Sequence, residues 1–230
     1  MAISINTVYQ RVLAILNKEQ RGYLTPVEFN LFANQAQLDI FEQYFYDLNQ
    51  FSRLPGNSTE YSDMVDILEE KISAFQKTAQ PAYSANHFVE PTDLYRLGTV
   101  IYNGSEAEHV NKNEYLYITS SPLSKPTNDF PIYTRDSSGI KIYAAAELTN
   151  NTGVTFNYVK KPVEAEWKFT TVAGEALYRA TGTVDFELHE SEETDLVIKI
   201  LQLAGVLIKD PSIYQVGSSE EAKDVQQEKA

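Results

Sequence analysis

Three histidines, His87, His109 and His189, are the only imidazoles in the chain, and there is no cysteine at all. Without thiols, a disulfide framework, a thiolate zinc site, an iron–sulfur cluster and a cysteine nucleophile are excluded. None of the histidines pairs with another histidine at metal-ligand spacing, such as i and i+4 on a helix. His189, beside Glu190, reads most simply as a helix-start residue. Glu164 and Glu166 straddle Ala165 next to the single Trp167. Two carboxylates beside an aromatic platform are what a glycoside hydrolase uses. Residues two apart on a strand point the same way, however, so both side chains facing water is the favoured reading. No G-x-S-x-G elbow, phosphate-binding glycine loop or dinucleotide fingerprint occurs. The expectation is no catalytic residue, no cofactor and no metal: a protein that is not an enzyme.

The charge balance narrows the partners. Nineteen Lys and Arg against 32 Asp and Glu give a formal net charge of −13. A protein that grips DNA needs clustered cations to displace counterions from phosphates, and this chain has the opposite balance. An acidic surface would let a DNA backbone pass without binding. The opening run, MAISINTVYQRVLAILNKEQRG, has no basic leader and no sustained apolar stretch. It reads as an amphipathic helix, and nothing approaches the roughly 18 apolar residues of a membrane helix. A soluble protein made in a cytoplasm, with no membrane partner, is expected.

The elements that must position any site follow from periodicity. Ile5, Val8, Val12, Ile15 and Leu16 form one helical stripe, which Gly22 ends. Thr25-Pro26-Val27-Glu28 carries a capping-box signature with proline at the first helical position. The helix it opens bears Phe29, Phe32, Ala33, Ala36, Ile40, Phe41, Tyr44 and Phe45, a face wider than one partner helix covers. After a turn at Leu54-Pro55-Gly56-Asn57, Tyr61, Val65, Leu68, Ile72 and Phe75 give a narrow stripe that leaves Glu69, Glu70 and Lys71 in water. Beyond Pro81 the pattern changes to short β runs: Leu94–Tyr102, Tyr115–Thr119, Ile132–Thr134, Ile140–Tyr143 and Val154–Val159. Asp136-Ser137-Ser138-Gly139 reads as a hairpin loop. Glu164 to Gly182 is ambiguous, and Val184–Leu188 is a candidate further strand. Ser191 then caps a helix whose apolar face runs through Leu196, Val197, Ile200, Leu201, Ala204 and Leu207.

The fold class expected is therefore α+β. Residues 1–80 and 189–210 form a helical bundle, 90–188 an inserted antiparallel sheet or sandwich, and 211–230 an extended tail. With 15 Tyr and 11 Phe, large rings are available for contacts as well as cores. The candidate protein-interface residues are Tyr143 and Tyr158 on the sheet, and Ile213, Tyr214 and Val216 on the tail, a short apolar cluster able to dock by ordering on a partner.

Several stretches resemble a known family. They are Pro91-Thr92-Asp93-Leu94-Tyr95-Arg96-Leu97, Ser121-Pro122-Leu123 with Lys125-Pro126-Thr127, Tyr158-Val159-Lys160-Lys161-Pro162, and the C-terminal ELHESEETDLVIKILQLAGVLIKDP. Over most of its length the chain resembles virion ring proteins of tailed bacteriophages, especially of the crAss-like group. The resemblance implies a head-to-tail connector, or adaptor, in the virion neck or tail. Such a protein is a ring subunit, often twelve-fold, attached below the portal or stacked on neighbouring tail rings. Its terminal segments often dock onto the portal, genomic DNA passes through its lumen unbound, and the family supplies no catalytic residues. A baseplate or fibre module that holds a glycan on its tyrosine-rich sheet is the alternative.

Overall fold

The computed structural model describes residues 3–18, 24–51 and 64–208. The chain is α+β and divides into two compact units, residues 1–74 with 162–230, and residues 75–161. The boundary corrects the expected one. Residues 162–188 belong with the helices, and the β unit begins at Phe75, before the composition changes.

In the helical unit, α1 (Ile5–Lys18), α2 (Pro26–Phe51), α3 (Met64–Ser73) and α5 (Glu193–Ile208) surround a core of Val8, Val12, Phe29, Phe41, Leu68, Ile72, Leu196 and Ile200. The Thr25 capping box is in place. The Thr25 amide donates to Glu28 Oε2 at 2.9 Å and the Glu28 amide donates to Thr25 Oγ1 at 3.3 Å. The Thr25 hydroxyl, donating to Glu28 Oε2 at 2.6 Å, and then the Thr25 amide hold the Glu28 carboxyl below its usual range. The breadth of the α2 face is explained by what it packs against: α3, α5 and an extended segment that returns from the β unit.

That segment, residues 163–167, is zipped onto α2 by side-chain amides. Asn30 Oδ1 accepts from the Trp167 amide at 2.9 Å, and its Nδ2 donates to the Trp167 carbonyl at 3.3 Å. Asn34 makes the same reciprocal pair with Ala165, at 2.8 and 2.9 Å, and Gln37 Nε2 donates to the Val163 carbonyl at 2.8 Å. Four helical residues rise about 6 Å. Two extended residues span about 6.7 Å. Asparagines four apart therefore meet alternate backbone groups, so the helix acts as a neighbouring strand.

The start of α5 departs from expectation. His189, not Ser191, is the cap: its Nδ1 accepts from the Ser191 amide at 3.3 Å, ahead of a short 3₁₀ turn over Glu190–Glu192. Val184–Leu188 makes only isolated bridges, Glu166 with Val184 and Ile3 with Phe186. Lys71, expected in water, lies 2.6 Å from the buried Glu192 carboxylate and 5.6 Å from the Tyr44 ring centre. Burial, with Glu192 and Asp195 close by, raises the Tyr44 hydroxyl far above the ordinary tyrosine range. Replacing Lys71 with Met removes this counter-charge and leaves the buried Glu192 carboxylate with the Ser191 hydroxyl, 3.2 Å from its Oε1. A loss of about 2 kcal/mol is expected, read as a lower urea midpoint.

The β unit holds β1 (Gln76–Ala79), β2 (Ala82–Ser84), β3 (His87–Val89), β4 (Leu94–Tyr102), β5 (Ser105–His109), α4 (Lys112–Ser120), β6 (Ile132–Asp136), β7 (Gly139–Tyr143) and β8 (Val154–Lys160). A separate hairpin, β9 (Phe169–Val172) with β10 (Glu175–Tyr178), belongs to the helical unit. The eight strands are ordered β1-β8-β4-β5-β6-β7-β3-β2. The edge strands β1 and β2 are separated by only Gln80 and Pro81, so the sheet curls until its two edges meet. Phe88, Val100, Ile140, Ile142, Val154, Phe156 and Tyr158 fill the interior, much as side chains fill a small barrel. Chain entry and exit lie side by side, with Gln76 paired to Val159 and the Lys160 amide donating to the Phe75 carbonyl at 2.8 Å.

Two sequence expectations fail in this unit. Tyr115–Thr119 is helical, although its tyrosines alternate as on a strand. Asn111 opens the helix, its amide donating to Glu114 Oε2 at 3.0 Å, and Pro122 follows its end. The sheet is also not wholly antiparallel. β5 and β6 run parallel, Glu108 beside Ile132 and His109 beside Tyr133, because residues 110–131 form a helical crossover between them.

Candidate functional site

The crossover is where the unit departs from ordinary packing. A helix joining parallel strands normally buries an apolar face on the sheet. Here α4 has no buried residue. Leu116 and Tyr117 on it are 61% and 77% exposed, and Leu123 and Phe130 on the following loop are 98% and 78% exposed. α4 is held down by a ring contact, Tyr115 against Tyr143 with centroids 4.4 Å apart, and by an exposed ion pair, Lys112 to Asp136 at 3.4 Å.

Beneath the crossover lies a cavity of about 770 Å³. Its floor follows from the pairing register. Leu97 opposes Tyr158 and Val100 opposes Phe156, so Gly98 and Thr99 together face the single residue Asn157, a bulge. β5 follows β4 only from Tyr102 to Val100, then turns to pair with β6. The strands diverge there, and Gly98, Thr99, Glu108 and Tyr133 line the opening, with Leu123 and Phe130 from the loop. Glu106, His109 and Lys125 add charge and polarity at the same groove. The loop is braced internally, the Phe130 amide donating to Thr127 Oγ1 at 3.2 Å.

The expected interface residues separate on inspection. Tyr158 is 5% exposed, inside the β core, and its hydroxyl donates to Asp93 Oδ1 at 2.9 Å. It serves this fold and not a neighbour, because the inward face of β8 carries every second residue, Val154, Phe156 and Tyr158. Burial, then the Asp93 bond, raises its pKa, while Lys77 at 2.7 Å lowers that of Asp93. Tyr143 is half-buried under Tyr115, and burial raises its pKa. Ile213, Tyr214 and Val216 lie outside the described residues.

The residues singled out for chemistry are dispersed. Glu164 is exposed, and Glu166 pairs with Lys168. His87 Nδ1 sits 2.9 Å from the Ala85 carbonyl oxygen, His109 lies against the Tyr133 ring, and His189 caps a turn. Among the described residues no three His, Cys, Asp or Glu cluster to hold a metal, and no helix is long and apolar enough to cross a membrane. The crossover surface was missed in the sequence because Leu116, Tyr117, Leu123 and Phe130 follow no single period. Asn111 with Glu114 was the available signal. Compared with known proteins, the chain matches no protein-family model, and no curated protein matches it significantly.

Proposed function

We propose that this chain is a virion structural protein, a ring-forming head-to-tail connector of a tailed phage, docked on the portal or an adjacent tail ring. The carrying observation is the crossover, whose four large apolar side chains are left uncovered by the fold. Tyr117 and Phe130 alone present on the order of 300 Å² of ring surface. The largest apolar patch of a typical monomer is about this size and is often functional. Residues 111–131 are electrically neutral, Lys112 and Lys125 balancing Glu114 and Asp129, within a chain of charge −13. A neutral apolar arm can approach another acidic copy with little repulsion. The resemblance to phage ring proteins supplies the kind of assembly, and the acidic balance suits a lumen through which DNA slides.

The test is assembly on the portal-bearing particle. Leu123→Asp with Phe130→Asp changes only exposed side chains, so the far-UV spectrum and melting temperature should hold. Ring association should weaken roughly a thousandfold, since two apolar anchors at about 2 kcal/mol each sum to about 4 kcal/mol. Sedimentation and negative-stain imaging read it. Rings formed equally well by the variant would remove the crossover from the interface, and a particle reconstruction placing the chain outside any annular layer would end the reading.

A further inference from the structure

We infer that the groove beneath the crossover is filled by residues 212–216 of a second copy of this chain. The inference rests on the ring reading and names the contact that closes it.

The groove needs an apolar occupant. Its loop wall exposes Leu123 and Phe130, its floor is opened by the β4 bulge, and its volume of about 770 Å³ is room for several side chains. A helix of nine residues that buries nothing is marginal by itself in water. An occupant under Ile118 and Leu123 would give the crossover the packing it lacks.

Charge selects the occupant. Glu106 and Glu108 line the groove, so it disfavours acidic segments. Residues 211–219, Pro-Ser-Ile-Tyr-Gln-Val-Gly-Ser-Ser, carry no charge and contain Ile213, Tyr214 and Val216. Glu220 and Glu221 come four and five residues after Val216. They would sit near Lys125, which lines the groove and has no ion pair among the described residues.

Reach and symmetry agree. Ile213 lies five steps along the chain from Ile208, the end of α5, a span of at most about 17 Å. The donating helix end must therefore lie close to the accepting groove. Donor and acceptor are different surfaces, so the contact is heterologous, and repetition closes a ring when the rotation allows.

The chain has no cysteine, which makes the experiment clean. Full-length Leu123→Cys and Val216→Cys variants are mixed, assembled and oxidised. A covalent heterodimer at twice the 26.0 kDa chain mass is expected, with a ladder of higher multiples from the double variant. Adding Ile213→Ser and Tyr214→Ser to the Val216→Cys chain should lower the yield at least fivefold. A double variant that closes only within one chain overturns the inference. So do assembled rings whose two introduced thiols stay apart, including rings in which the thiol at position 216 joins the portal instead; both of these leave the ring reading standing. A chain that stays monomeric at every concentration and on the portal overturns both.

Discussion

Replacing Asn34 with Leu should cost the helical unit about 3 kcal/mol, although leucine is the better helix former. Intrinsic propensity alone predicts a gain of about half a kcal/mol at a helix interior. Against it stand the Ala165 amide, donating to Asn34 Oδ1 at 2.8 Å, and the Ala165 carbonyl, accepting from Asn34 Nδ2 at 2.9 Å. Ala165 is 1% exposed, so water cannot readily replace either bond. Two buried backbone groups left unpaired lose about 1–3 kcal/mol each. Asn34→Ala leaves room for a water molecule and should cost less, about 2 kcal/mol. Trp167 is the sole tryptophan, is buried, and bonds the neighbouring Asn30, so its fluorescence during urea unfolding reports this unit. If the Asn34→Leu and Asn34→Ala chains both match the wild type in stability, the amide ladder is incidental. A gain of half a kcal/mol would leave propensity as the whole account.

The contrast between what was legible and what was not follows the range of each interaction. The Thr25 cap, the α2 face and the Asp136–Gly139 hairpin were readable because each is fixed by residues within a few positions. Asn103-Gly104 carried the same kind of signal. Both residues have positive φ, 48° and 87°, and they turn β4 into β5. That strand went unread because Ser105–His109 is short and acidic. The sheet order could not be read, since Ile140–Tyr143 and Val154–Lys160 look like two arms of one hairpin and are instead separated by β6, β5 and β4. The boundary at Pro162 was hidden for a related reason. The segment after it pairs with side-chain amides on a helix, which leave no strand periodicity behind. Lys71 looked like a surface charge because its partner, Glu192, is 121 positions away. Of the candidate site, the polarity of the tail was visible, and the groove was not, because it exists only where β4 and β5 part.

Gly139→Ala should disrupt the β unit far more than the same change at Gly104. Gly139 has φ +138°, a backbone region that side chains rarely enter, and it closes the β6–β7 hairpin by pairing with Asp136. A Cβ placed there would lie 2.5 Å from the Phe88 carbonyl oxygen and 3.3 Å from His87 Cβ. The obstacle is backbone and cannot rotate away. The next residue, Ile140, is the one through which β7 pairs with β3, opposite Phe88. Phe88 and Ile140 are both fully buried in the β core, so relieving the clash means parting the strands where the core is held. About 3 kcal/mol or more is expected from strain and lost packing together. Gly104 is the control. Its φ is also positive, +87°, but nothing lies within 4 Å of an added Cβ. Gly104→Ala should therefore show only the left-handed backbone penalty, about 1 kcal/mol. Amide exchange at Phe88 and Ile140 separates the two: Gly139→Ala should speed it by at least a hundredfold, and Gly104→Ala by less than tenfold. Equal protection in both variants would mean that β3 and β7 can move apart freely at this point, and the curl of the sheet would then be held elsewhere.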